Sequence, residues 1–427
     1  MKFNNSIKQL KVAEKYIPLG AQTFSKSKLV YPYAMSPLFA RKAKDCFIWD
    51  IDGNKYIDLV NGLLPVILGY QNKSVDNAIK KQLLNGITLS LSSPLETKLS
   101  KLLCKIIPSA EMVRFAKNGS DATSACIRVA RAYTKRDHII CCGYHGWQDW
   151  YIGTTNRDLG VPNSIKKLTF KVNYNDLDTL EKIIIRNPGK IAAFILEPTN
   201  FEAPNKNYFK DLKKILNKHK ILLIFDEICT GFRMSIGGAQ QFFNVKPDLS
   251  ALGKGMANGM PISAVVGKRK IMKYMEKIFF STTFSGETLS IAAAIETINQ
   301  LVKKNYINKI WKDGTLLKKK INELIKKYQL EKQIEIKGYA PWTLIRFKLN
   351  NQTENMYLKS IFISEMIKNG VLINSTNNLN ASLTKKDILK VVLAYNKSFK
   401  IIKKYLLTKK KNYKLYKNRV SNVFKVR

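Results

Sequence analysis

Residues 221–256 read ILLIFDEICTGFRMSIGGAQQFFNVKPDLSALGKGM, and this stretch constrains the fold more than any other. The apolar run 221–225 stops abruptly at Asp226 and Glu227. A run of that length closed by charge reads as a buried strand of a parallel sheet. In open α/β sheets ligands bind outside the carboxyl ends of the strands, so Asp226 is expected where ligands bind. A second short strand, over 248–252, ends at Gly253-Lys254-Gly255, a lysine between two glycines at another strand end.

A carboxylate and a glycine-flanked amine on strand ends suit pyridoxal phosphate. That cofactor needs a lysine for its Schiff base and an acid to keep its pyridine nitrogen protonated. The amine must swing between cofactor and substrate, so small neighbours help. Each residue also has a plainer role: Lys254 as a solvated loop residue, the Asp-Glu pair as a simple strand terminus.

A chain of 427 residues can bury a large core and predicts two domains. No apolar run approaches ~18 residues, so no transmembrane helix is expected. The opening MKFNNSIKQLKVAEKY lacks the apolar centre of a secretory signal. The six cysteines form no CxxC pair and read as reduced residues of a cytoplasmic protein. The three histidines, His138, His145 and His219, show no metal-ligand spacing, so no metal is expected. A net charge of +42 (73 basic against 31 acidic residues) could mark a nucleic-acid binder. The excess is mostly lysine and is spread along the chain, which favours a compositional origin over specific nucleic-acid contacts.

Elsewhere the pattern is strand, loop, helix. Alternating runs around Asp52-Gly53-Asn54 predict a hairpin. Helices are expected over 74–85, 94–107, 122–133, 290–302 and 306–329, and strands over 112–116, 138–142, 191–196, 262–266, 333–338 and 343–347. The loop Lys117-Asn118-Gly119-Ser120-Asp121 ahead of a helix can bind an anion through free backbone N–H groups, or Ser120 can simply cap the helix. Tyr144, in the Gly-bounded turn after 138–142, can lie on an aromatic cofactor or pack as a loop aromatic. Glu197 closes the strand 191–196. This alternation predicts an α/β fold with a mostly parallel sheet. Expected boundaries are an N-terminal segment 1–45 belonging to the smaller domain, a large domain 46–304, an α+β domain 305–408 and a basic tail 409–427, partly disordered.

Seven pieces occur in an order that resembles the class III pyridoxal-phosphate aminotransferases, above all the glutamate-1-semialdehyde 2,1-aminomutase group. They are WDIDGNKYIDLV, FAKNGSDATSACIRVARA, GYHGWQDW, ILEP, FDEICTGFR, PDLSALGKGMANGMPISAVVG and TTFSGET. The resemblance implies the type I fold, pyridoxal 5'-phosphate as cofactor, and a homodimer with shared active sites. It implies that Lys254 bears the cofactor and moves protons, and that Asp226 pairs with the pyridine nitrogen. Tyr144 would stack on one ring face and Ile228 on the other, and Gly119 and Ser120 would bind the phosphate. Thr283 would reach that phosphate from the partner subunit, and Glu197 would lie near the cofactor. Arg233 would be structural.

The substrate-facing parts depart from the aminomutase pattern. Lys26 stands where that group has a substrate-facing Arg, Gly62-Leu63-Leu64-Pro65 replaces Ser-Trp-Gly-Pro, and the group's Glu and His are missing near Ser375 and Leu383. No Arg lies between Phe347 and Asn418. The expected activity is therefore transfer of an amino group from a small-molecule donor to a separate carbonyl acceptor, such as a keto-sugar. The intramolecular aminomutase reaction is the alternative. A non-catalytic protein of this fold and a basic nucleic-acid binder are the readings from other classes.

Overall fold

The structure, a computed structural model, describes residues 1–421. They divide into two compact units. One comprises Met1–Leu63, Leu68–Gln71 and the described residues from Asn308 onward; the other comprises Leu64–Ile67 and Asn72–Ile307.

The second unit carries a seven-stranded sheet. Its order is Met112–Ala116, Ser263–Gly267, Leu249–Leu252, Leu222–Glu227, Ile191–Leu196, His138–Cys142, Thr169–Lys171. Only Ser263–Gly267 runs antiparallel to its neighbours; the remaining pairs are parallel. Three central strands are buried along their whole length, which is why they read as unbroken apolar runs rather than alternating ones. Alternate residues feed two cores. Ile195, Ile224 and Ala251 pack with Ala122, Cys126 and Val129 of the helix Gly119–Thr134. Phe194, Leu196, Leu223 and Phe225 pack with Leu180 and Leu212 from the helices Leu177–Arg186 and Tyr208–Lys218. A sheet covered on both faces is the type I aminotransferase architecture that the strand-loop-helix alternation predicts.

The same alternation splits the Asp-Glu pair, because neighbouring strand residues face opposite ways. Glu227 turns away from Asp226's side and accepts from Thr230 Oγ1 (2.5 Å), Ala239 N (2.7 Å) and Gln240 N (2.8 Å). It thereby ties down the chain that follows the strand.

In the first unit, Ala40–Lys44, Phe47–Asp50 and Lys55–Asp58 form an antiparallel meander. Asp50 Oδ1 accepts from the N–H groups of Asp52 and Asn54 (3.0 and 2.8 Å) and so shapes the expected turn. The last strand pairs in parallel with Val371–Leu372. This corrects the expected boundary at 46: the hairpin belongs with the C-terminal half, because its open edge is closed by a strand more than 300 residues away. A second sheet joins Ile334–Tyr339, Trp342–Phe347 and Thr376–Asn378. The expected disorder of the basic tail is corrected for its described part. Tyr413–Lys417 is helical, Leu415 and Val420 are buried, and Asn412 N donates to Tyr357 Oη (2.8 Å). Residues 422–427 lie outside the described residues. Among those described, no helix is long and apolar enough to cross a membrane.

Candidate active site

Five chain segments converge where the parallel strands of the second unit end. The strand Leu222–Glu227 pairs with Leu249–Leu252 in a register that sets Asp226 opposite Ala251. Lys254 lies three residues beyond Ala251, so amine and carboxylate start from adjacent strand ends. Glu197 directly follows Ile191–Leu196, the turn 143–147 follows His138–Cys142, and Gly119 follows Met112–Ala116 after two residues. A cavity of about 230 Å³ collects Gly119, Ser120, Tyr144, Glu197, Asp226, Ile228 and Lys254. These are all the residues singled out in the sequence except Thr283. Thr283 is exposed on its own subunit and is not among the cavity's lining residues.

Local chemistry explains each placement. Asn118 starts the helix Gly119–Thr134, and its N–H donates to Asp121 Oδ2 (2.7 Å). The N–H groups of Gly119 and Ser120 sit in the first helical turn, where no intrahelical carbonyl can receive them. They face the cavity with the positive end of the helix dipole behind them. Two glycines let the 143–147 turn close over this start. At Gly143 (φ +108°) a Cβ would lie 2.6 Å from Glu197 Oε2, and at Gly146 (φ +105°) 2.5 Å from Ser120 Cβ. Thr123 Oγ1 donates to His145 O (2.8 Å) and fixes turn to helix.

Asp226 is buried, and its orientation is set from two sides. Ile228 N donates to its Oδ1 (3.1 Å), and His145 Nδ1 lies 2.7 Å from its Oδ2. His145 is fully buried; its Nε2 lies 3.2 Å from Cys142 O, and its ring stacks on Trp150 (centroids 6.0 Å, 18° between planes). His145 was set aside in the sequence because it has no metal spacing. Its signal was its place beside Tyr144 in a glycine-bounded turn at a strand end.

Glu197 Oε2 accepts from Tyr144 N (3.0 Å) and Asn200 Nδ2 (3.1 Å). Burial, and then the nearby charge of Asp226, push its carboxyl up to about 6. Lys254 takes a positive φ of 39°, a region that costs a side-chain-bearing residue some strain and that clusters at functional sites. Its Nζ donates to Cys229 Sγ (2.7 Å). Burial presses the amine down, but Cys229 and the carboxylates of Glu197 and Asp226 outweigh this and hold it above the ordinary lysine value. Arg233 is buried and donates to Leu64 O (2.8 Å), a structural role.

The donor set fits a phosphorylated, cationic ring aldehyde. It offers an amine for the aldehyde, a carboxylate for the ring nitrogen, unpaired N–H groups for the phosphate, and Tyr144 and Ile228 for flat surfaces. The wall is close: a Cβ on Gly119 would come within 3.1 Å of Ile228.

Comparison with known proteins agrees. The family profile "Aminotransferase class-III" matches residues 30–387. The 3-aminobutyryl-CoA aminotransferase of Cloacimonas acidaminovorans is 32% identical over 417 residues, covering 95% of this chain and 99% of that one. The glutamate-1-semialdehyde 2,1-aminomutase of Wigglesworthia glossinidia brevipalpis is 33% identical over 427 residues, covering 92% and 96%. Among solved structures, the FumI protein of Sphingopyxis sp. MTA144 in its PLP internal aldimine form superposes with a TM-score of 0.88 at 26% identity, covering 95% of this chain and 98% of that one. The chain belongs to the class III aminotransferases, a family of pyridoxal-phosphate-dependent enzymes.

Proposed function

We propose that this enzyme moves an amino group from a small-molecule donor to a separate carbonyl acceptor. The observation that carries the proposal is the single cavity in which Lys254, Asp226, Tyr144 and the start of the helix Gly119–Thr134 meet. Bound pyridoxal phosphate supplies an aldehyde that takes up the amino group and a ring that accepts electrons from the substrate carbon. The chain does the rest. Gly119 and Ser120 hold the phosphate on backbone N–H groups. Asp226, aimed by His145 and by Ile228 N, accepts from the ring nitrogen and keeps its proton there. Tyr144 and Ile228 cover the two ring faces. Lys254 is the nucleophile, and its Nζ then carries the proton between the two substrate carbons. Glu197 holds the Tyr144 turn in place and lies near the cofactor.

The second copy of the chain completes the site through Thr283. Exposed Leu83, Leu84, Ile87, Leu89 and Leu91 support a homodimer. Their segment is tied to the Thr283 loop through Thr288 Oγ1, which donates to Gly86 O (2.8 Å). A patch of exposed apolar side chains of this kind marks an interface. For the acceptor we favour a polar, anionic carbonyl compound such as a keto-sugar. Lys26, in place of the aminomutase arginine, supports this: it lines a pocket of its own unit with Tyr31 and Asp58. The relative named as an aminomutase keeps the intramolecular reaction as the second reading.

The test is a half-reaction. Purified holoenzyme mixed with glutamate should lose its visible cofactor band and release 2-oxoglutarate. A band that answers only to 4,5-diaminovalerate would give the aminomutase reading instead.

A further inference from the structure

We propose that Cys229 is a positioning residue for Lys254: its sulfur holds the ε-amino group at the cavity wall and sets how readily that amine is used. This rests on the reading of Lys254 as the cofactor-bearing lysine.

The contact is direct, with Nζ 2.7 Å from Sγ. It is also confined, because both residues line the same cavity as Asp226 and Glu197. Of the six cysteines, Cys46, Cys126, Cys141 and Cys142 are buried, Cys104 is exposed, and only Cys229 lines this cavity. Its backbone is fixed on both sides. Ile228 N donates to Asp226 Oδ1 (3.1 Å), Thr230 Oγ1 to Glu227 Oε2 (2.5 Å) and Gly231 N to Glu227 O (2.8 Å). Lys254 approaches on a strained backbone from the next strand.

The chemistry of sulfur suits the task. A thiol is a weak acceptor and a weak donor. Burial pushes the Cys229 thiol up, so near neutral pH it meets the ammonium as a neutral partner. A carboxylate in this place would form a buried ion pair that is hard to break. A thiol orients the amine and then lets it go. Glu197, Asp226 and Tyr144 also face the lysine, and Arg233 lies behind the cysteine. The effect of Cys229 must therefore be read as a difference between variants with those groups unchanged.

The experiment compares wild type, Cys229→Ala and Cys229→Ser as full-length apoprotein. One readout is the pH profile of Lys254 labelling by reductive methylation, followed by mass spectrometry. The other is the rate at which added pyridoxal phosphate is captured. The expected result is a labelling midpoint at least half a pH unit lower in Cys229→Ala and capture slowed about tenfold, with Cys229→Ser within about twofold of wild type. Alanine and wild type agreeing in both readouts would overturn the positioning role. Should wild type capture no cofactor on Lys254, the assignment of the lysine fails, and this inference with it. If Cys229→Ala proves insoluble, Cys229→Ser against wild type decides: a serine profile displaced as far as predicted for alanine contradicts a contact that a hydroxyl can replace.

Discussion

Replacing His145 with alanine removes one of the two groups that aim Asp226 and leaves Ile228 N at 3.1 Å as the other. A hydrogen bond to a charged group contributes about 1.5–3 kcal/mol. Both partners are buried, so water does not replace the lost contact. If that contact is what aims the carboxylate at the ring nitrogen, His145→Ala should weaken pyridoxal-phosphate affinity about 10- to 150-fold, at 1.4 kcal/mol per factor of ten. The assay is a double-mutant cycle: apparent cofactor Kd by absorbance titration for wild type, His145→Ala, Asp226→Ala and the double variant. Circular dichroism establishes that each is folded. The account expects His145→Ala to cost almost nothing once Asp226 is gone, which gives a coupling of about 1.5–3 kcal/mol. Additive single effects would show that His145 acts on the fold and not through Asp226, and would refute the reasoning.

Further outcomes follow from the same geometry. Burial raises the Glu197 carboxyl from 4.5 to about 6, so the folded apoprotein prefers it protonated. Its contribution to stability is full below about 4.5 and is lost as pH rises through about 6. At 1.36 kcal/mol per unit the gap is about 2 kcal/mol. Urea unfolding should show wild-type apoprotein losing that much over this window relative to Glu197→Gln. Glu227→Ala strands the N–H groups of Ala239 and Gln240 and should destabilise by about 4 kcal/mol in the same assay, at about 1–3 kcal/mol for each buried unpaired group. Paired Leu84→Glu and Leu91→Glu substitutions, on side chains 87% and 85% exposed, should shift sedimentation toward monomer and lower activity, because Thr283 would no longer reach its partner site.

The cofactor-facing half of the site was legible in the sequence because each residue stands at a discontinuity. Apolar runs stop at Asp226 and Glu197, and glycines flank Lys254 and Tyr144. Strand spans such as Met112–Ala116 and His138–Cys142 fell where the apolar runs ended. His145 and Cys229 were missed because their roles depend on partners 81 and 25 positions away in the chain. No local pattern encodes such contacts. The hairpin 47–58 was given to the wrong unit for the same reason, since its pairing with Val371–Leu372 carries no signature in either segment. The tail looked disordered because lysines dominate it, yet two apolar side chains, Leu415 and Val420, anchor it.

The central claim is that one of this chain's many lysines carries the cofactor. Borohydride reduction of holoenzyme followed by peptide mapping tests it most directly. A single pyridoxyl adduct on Lys254, absent from Lys254→Ala, is the predicted result; an adduct on any other lysine, or cofactor that washes out unreduced, would contradict it.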